Sequence, residues 1–205
     1  MTGVLKEFRY YTYSDYLTWP DDIRYEIIDG TPYLMTSPSE AHQAILFEFA
    51  GQIWNFLKGK PCKAFTAPFD VRLNPKSGDD TVVQPDLLVV CDSSKLDGKA
   101  CVGAPDLIVE ILSPSTALMD RFIKFNRYLY AGVMEYWIID PETRTAAIHF
   151  LKDGQYVVNT YGETDTVSVN VLPGCEISLS DVFGEPDMEA RASLGARASS
   201  PAYKE

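Results

Sequence analysis

The sequence predicts an α/β domain, an α+β mixed sheet flanked by helices and decorated with β-hairpins. Three observations carry that expectation. Two short β-branched apolar runs, 82–90 and 106–112, read as buried strands. The second is followed by a helical stretch and then by Glu135-Tyr136-Trp137-Ile138-Ile139-Asp140, a crossover that permits parallel pairing, right-handed by rule. Asp29-Gly30 and Lys152-Asp153-Gly154 are tight-turn signals between apolar segments, and each marks a hairpin.

In chain order, Tyr13 to Trp19 reads as a short helix capped by Ser14 or Thr12 and stopped by Pro20. Residues 25–28 and 32–35 pair across Asp29-Gly30. A long helix opens with Ser37 as cap, Pro38 at the first helical position and Glu40 completing a capping box, and Gly59 stops it after Lys58. Projection at about 100° per residue puts Ile45, Leu46, Phe49, Ile53 and Phe56 on one face, with His42 among them and Glu48 and Gln52 on the margin. Residues 64–73 read as a strand whose Pro68 implies an edge or a bulge. A loop over 75–80 precedes the two acid-bearing runs, which a polar excursion over 92–103 separates. Ser113-Pro114-Ser115-Thr116 caps a helix over 117–131 that ends at Gly132, and residues 146–151 and 156–161 form the second hairpin. Residues 1–184 form one domain; the Ala-, Ser- and Glu-rich stretch 185–205 reads as a mobile tail.

Composition narrows the function classes. The 205 residues are 46% hydrophobic and 23% charged, which suits one soluble globular domain with a sizeable core. No run approaches the roughly 20 apolar residues that span a bilayer, and the first nine residues lack a signal-peptide core, so a cytoplasmic protein with no membrane partner is expected. Cys62, Cys91, Cys101 and Cys175 form no metal-ligand spacing and are expected to be reduced, buried thiols. The net charge of −11 weighs against tight, nonspecific DNA binding, which leaves a basic footprint.

The chemistry lies in two interruptions. Asp86 breaks the run 82–90 and Glu110 breaks the run 106–112. A carboxylate inside such a strand must be paired, protonated or bound to a cation, because an isolated buried charge costs many kcal/mol. Side chains alternate along a strand, so Gln84 and Asp86 share one face, and Glu110 shares its face with Ile108 and Leu112. If the two strands are neighbours in register, the acids converge on one point. Mg²⁺ suits such a site, because it takes few protein carboxylates and completes its shell with water and substrate phosphate.

Further residues carry a resemblance. Arg24-Tyr25-Glu26-Ile27-Ile28-Asp29-Gly30, His42 at the start of the long helix, Gln84-Pro85-Asp86 and Glu110-Ile111-Leu112-Ser113-Pro114-Ser115-Thr116 form an ordered set. Asp120, Lys124, Tyr128 and Gly132-Val133-Met134-Glu135-Tyr136-Trp137 complete it. The set resembles the Uma family of restriction-endonuclease relatives in the PD-(D/E)XK nuclease superfamily, over roughly residues 10 to 184. The resemblance implies a restriction-endonuclease-like core of αβββαβ order. It also implies hydrolysis of DNA phosphodiester bonds with Mg²⁺ or Mn²⁺. Carried over residue by residue, Asp86 and Glu110 are the metal-ligand carboxylates, the Ile111 carbonyl is a third ligand, and Lys124 is the catalytic lysine. That lysine is displaced, since Leu112 stands where the superfamily signature has it. His42, Glu26, Gln84 and Asp120 are the candidate site-lining residues.

Plainer readings stand beside these. Asp86 and Glu110 can be structural acids paired with Arg72 or Lys124, and Glu26 can pair with Arg24 or Lys6. The spacing of Asp120 and Lys124 is that of a solvated helix surface pair, with Phe122, Phe125 and Leu129 as the buried face. His42 on an apolar face is by default a satisfied core histidine. A nuclease-like fold without catalysis, serving as a binding module, is the alternative function. A homodimer would suit an enzyme that cuts both strands.

Overall fold

The computed structural model describes residues 9–20 and 22–184. The tail expected at 185–205 lies outside the described residues.

The chain opens with α1 (Tyr13–Tyr16) and the hairpin β1 (Tyr25–Ile28) and β2 (Thr31–Leu34), whose turn places Asp29 and Gly30 at positive φ. There follow α2 (Glu40–Leu57), β3 (Lys63–Thr66), β4 (Asp70–Arg72), β5 (Val82–Val83), β6 (Leu87–Val90), β7 (Ala100–Val102) and β8 (Leu107–Ile111). A π-helical segment (Met119–Lys124) runs into α3 (Phe125–Ala131), which Gly132 ends in the left-handed conformation. The chain then forms β9 (Glu135–Asp140), the long hairpin β10 (Thr145–Lys152) and β11 (Gln155–Gly162), the short pair β12 (Thr166–Ser168) and β13 (Glu176–Ser178), and α4 (Leu179–Phe183).

The central sheet has six strands in the order β11-β10-β9-β8-β6-β3. β3, β6 and β8 pair antiparallel, and β8 pairs parallel with β9 across the expected crossover. With α2 before β3 and α3 between β8 and β9, the core order is αβββαβ, as expected. Strand alternation sorts its two faces. Leu87, Val89, Leu107, Val109 and Trp137 pack with Phe49 and Ile53 of α2. Leu88, Val90, Ile108, Leu112 and Tyr136 pack with Tyr128 of α3 on the other side. Each such side chain contributes roughly 1.5–3 kcal/mol by leaving water.

Two expected strands are each divided between sheets. Residues 64–73 break at Pro68: β3 edges the central sheet, whereas β4 joins a five-stranded sheet of order β2-β1-β5-β4-β7. Residues 82–90 break at Pro85 in the same way, into β5 of the smaller sheet and β6 of the larger. Proline has no N–H to give a ladder, so both breaks fall where the chain leaves one sheet for the other. The two crossings are tied by a hydrogen bond from Ala67 N to Asp86 O, 3.2 Å.

Two smaller expectations are corrected. The cap of α2 is Ser39 rather than Ser37, its hydroxyl accepting from His42 N at 3.2 Å. Cys62 and Cys91 are joined as a disulfide instead of being free thiols, because the β3–β6 register, with Lys63 opposite Val90, brings them face to face. Cys101 and Cys175 are free and buried.

Candidate active site

The β6–β8 register sets Leu87 against Val109, so one step further Asp86 stands opposite Glu110. At this point the ladder has ended, and the Asp86 side chain takes the place of a strand. Its Oδ2 accepts from Ile111 N at 2.8 Å and from His42 Nε2 at 3.1 Å. With a carboxylate as acceptor, Nε2 is the protonated nitrogen of that ring. Burial works against a charge on His42, but Asp86 outweighs it and holds the imidazole above its ordinary range. His42 thus serves as a clamp on Asp86, on the same helix face that packs the core. No hydrogen bond among the described residues falls on Asp86 Oδ1.

Glu110 lies on the α3 side of the sheet. Its Oε1 accepts from Lys124 Nζ at 3.0 Å and from Tyr128 OH at 2.6 Å, and its Oε2 receives only a long bond from Asp86 N, 3.4 Å. Lys124 Nζ also lies 2.9 Å from Glu26 Oε1 and 3.4 Å from Asp120 Oδ1. All four of these charged groups are almost fully shielded from solvent. Burial alone would discharge Lys124, but Glu110, Glu26 and Asp120 outweigh it and hold the ammonium well above its usual range. Burial pushes Glu110 and Asp120 up, against the pull of Lys124. One ammonium thus faces three carboxyl groups.

Of the plainer pairings, that of Glu110 with Lys124 is present. Lys124 is not on the surface: it is 4% exposed, whereas Phe122 is 61% exposed. The π-helical turn, bonded i to i+5, changes the angular step per residue and defeats a 100° projection. Arg72 pairs with Asp79 and Asp97, not with the site acids. Glu26 pairs with Lys124 and accepts from Gln84 N at 2.8 Å. Arg24 instead donates Nε and Nη2 to Gln84 Oε1, at 2.9 and 2.7 Å. Leu112, in the position of the signature lysine, is buried in the apolar layer beside Ile108.

Glu26, His42, Asp86, Glu110, Asp120 and Lys124 line a cleft of about 910 Å³ walled by β2, the start of α2, the 113–117 loop and the π-helical segment. The sequence matches the profile of the Uma2 family, described as "Putative restriction endonuclease", over residues 13–180. The chain belongs to the Uma2 family.

A relative from Synechocystis sp. (strain ATCC 27184 / PCC 6803 / Kazusa), "Uncharacterized protein slr1290", is 26% identical over 163 residues, covering 78% of this chain and 84% of its own. A crystal structure from Anabaena variabilis ATCC 29413, described as a putative nuclease belonging to DUF820, superposes with a TM-score of 0.70 at 23% identity. It covers 84% of this chain and 97% of its own, and it supports the restriction-endonuclease-like fold. Among the described residues of this Uma2 chain, no helix is long and apolar enough to cross a membrane.

A divalent cation meets a mixed donor set here. Among the described residues no three His, Cys, Asp or Glu side chains are grouped to hold a metal. Asp86 through Oδ1, Glu110 and the neighbouring Ile111 carbonyl are nevertheless the groups that would hold Mg²⁺, which needs few protein ligands. Two contributors escaped the sequence reading. Tyr128 was seen only as part of the family pattern, yet its hydroxyl holds Glu110. Arg24 was paired with the wrong residue. A buried tyrosine eight residues after Asp120 and four after Lys124 was the available signal for the first.

Proposed function

We propose that this Uma2 protein is a metal-dependent endonuclease that hydrolyses DNA phosphodiester bonds. The observation that carries the reading is the placement of Asp86 opposite Glu110 at the foot of the cleft, with Lys124 on Glu110. Asp86, Glu110 and the Ile111 carbonyl are the residues that would hold Mg²⁺ or Mn²⁺. The ion, when bound, would supply Lewis-acid polarisation of the phosphate and a lowered water pKa. His42 and Ile111 N fix Asp86 Oδ2, which leaves Oδ1 available. Glu26, Asp120 and Tyr128 fix Lys124 and Glu110. The Lys124 ammonium is the group to offset charge developing on the phosphate oxygens. To do so it must exchange one of its carboxylate partners for the substrate.

Asp86→Ala and Glu110→Ala should each abolish Mn²⁺- or Mg²⁺-dependent cleavage while far-ultraviolet circular dichroism stays native. Retained cleavage in either variant removes the assignment. A second reading, a nuclease-like fold that binds without cutting, is favoured by one observation: Lys124 is already engaged by three carboxylates. Calorimetric titration separates the two. Mg²⁺ or Mn²⁺ uptake lost in Asp86→Ala supports the enzyme, and no uptake supports the binding module.

A further inference from the structure

The wall of the cleft is poorly made for gripping a duplex. Among the described residues that line it, three cationic side chains face six carboxylates. Two of the three cations are engaged, Arg121 by Asp140 at 2.8 Å and Lys124 by its buried acids. Arg24 differs. Its two hydrogen bonds go to the neutral amide of Gln84, and no carboxylate among the described residues forms an ion pair with it. Its direction is fixed, because Gln84 Nε2 donates to Asp70 Oδ1 at 2.8 Å and to Tyr16 OH at 3.0 Å, which locks the amide. Proteins that hold duplex DNA commonly neutralise several phosphates along both strands. This cleft offers one unpaired guanidinium.

What the cleft offers instead is an aromatic face. Phe47 lines it and is 83% exposed, and Leu34 on the β2 wall is 63% exposed. Trp54, 61% exposed, lies two helical turns further along α2, about 10 Å on the same face. Gly51 between them leaves that face bare, with open space where a Cβ would stand. A solvated aromatic on the wall of the same cleft as the acid pair offers an unstacked base a π-face, while a duplex keeps its bases turned inward.

We propose that the strand taken by this cleft is unpaired DNA, stacked on Phe47 and held through a phosphate by Arg24, with Trp54 extending the stacking track beyond the cleft. The inference rests on the endonuclease reading above and narrows its substrate.

The test uses the full chain and a fluorescein-labelled 12-nucleotide DNA, single-stranded or annealed to its complement. Anisotropy in EDTA reads binding, and gel assay in Mn²⁺ reads cleavage. The single strand should bind tighter and be cut faster than the duplex. Phe47→Ala should weaken strand binding roughly 5- to 150-fold, the range for one base–aromatic stack. Log affinity should fall with log salt at a slope near −0.7, about one phosphate, and Arg24→Gln should flatten it.

Preference for the duplex with Phe47→Ala unchanged overturns this inference and leaves the endonuclease reading standing. Phe47-dependent strand binding with no cleavage of either DNA does the reverse. If neither DNA is bound or cleaved, both readings are overturned. If Phe47→Ala or Trp54→Ala instead dissociates a dimer in sedimentation, with strand binding unchanged, the stripe is an interface between copies and the inference falls.

Discussion

Two helices flank the same sheet and bury their faces by different means. α2 packs Ile45, Leu46, Phe49 and Ile53 against apolar strands. The segment of the π-helix and α3 turns Asp120, Lys124 and Tyr128 inward and leaves Phe122 in solvent. A hydrophobic projection finds the first face because only water expulsion decides it. On the second it finds Phe125, which packs against the core, but misplaces Phe122, Asp120 and Lys124, because there burial is decided by one ammonium meeting three carboxylates, and by a turn that departs from 100° per residue. On this face the cost of burying charge is met by pairing, and hydropathy cannot register pairing.

The sharpest way to break this comparison is to remove the cation. Lys124→Met leaves Glu110, Glu26 and Asp120 crowded without a counter-charge and should lose about 3–5 kcal/mol in urea unfolding. Adding Glu26→Gln should recover part of that loss, a coupling that Phe49→Ala on α2 would not show. The loss should also depend on pH. Burial raises the Glu110 and Asp120 carboxyls above their ordinary values. A pKa raised in the folded state contributes stability present below the unfolded value and lost as pH rises through the folded one. Lys124→Met should therefore be least impaired in mild acid and most impaired near neutrality. A pH-independent loss would mean that packing, not charge, holds this face.

A smaller effect tests how α2 delivers His42. Ser39→Ala removes the hydroxyl that accepts from His42 N and should cost about 1 kcal/mol. Ser37→Ala should change thermal stability by less, since the helix begins after it. Equal effects would return the cap to Ser37. Smallest of all, Phe122→Ser should shift stability by no more than about 0.5 kcal/mol, as an exposed site does. A core-sized loss in calorimetry would restore the face that the projection drew.

Much of the fold was legible because it follows from local rules. Asp29-Gly30 and Asp153-Gly154 sit at positive φ as tight turns require, Gly132 ends α3, and the crossover from β8 to β9 is parallel. The paired prolines were read less well. Pro68 signalled an irregularity in a strand, whereas Pro85 passed unmarked inside the run 82–90, yet both mark a transfer between two sheets, and a single sequence does not show the destination. The disulfide was missed for a related reason: Cys62 and Cys91 are 29 residues apart, and only the β3–β6 register makes them neighbours.

By itself the sequence determined which residues are anomalous. Asp86 and Glu110 interrupt apolar strands, His42 interrupts an apolar helix face, and a carboxylate in such a place must find a partner. It could not determine which partner. Lys124 reaches Glu110 across 14 residues, Glu26 reaches Lys124 from a hairpin in the other sheet, and Arg24 meets Gln84 across 60 residues. Those pairings depend on strand register and on one π-helical turn. Electrostatic pairing acts over a few ångströms in space, whatever the separation along the chain, so only the tertiary structure decided it.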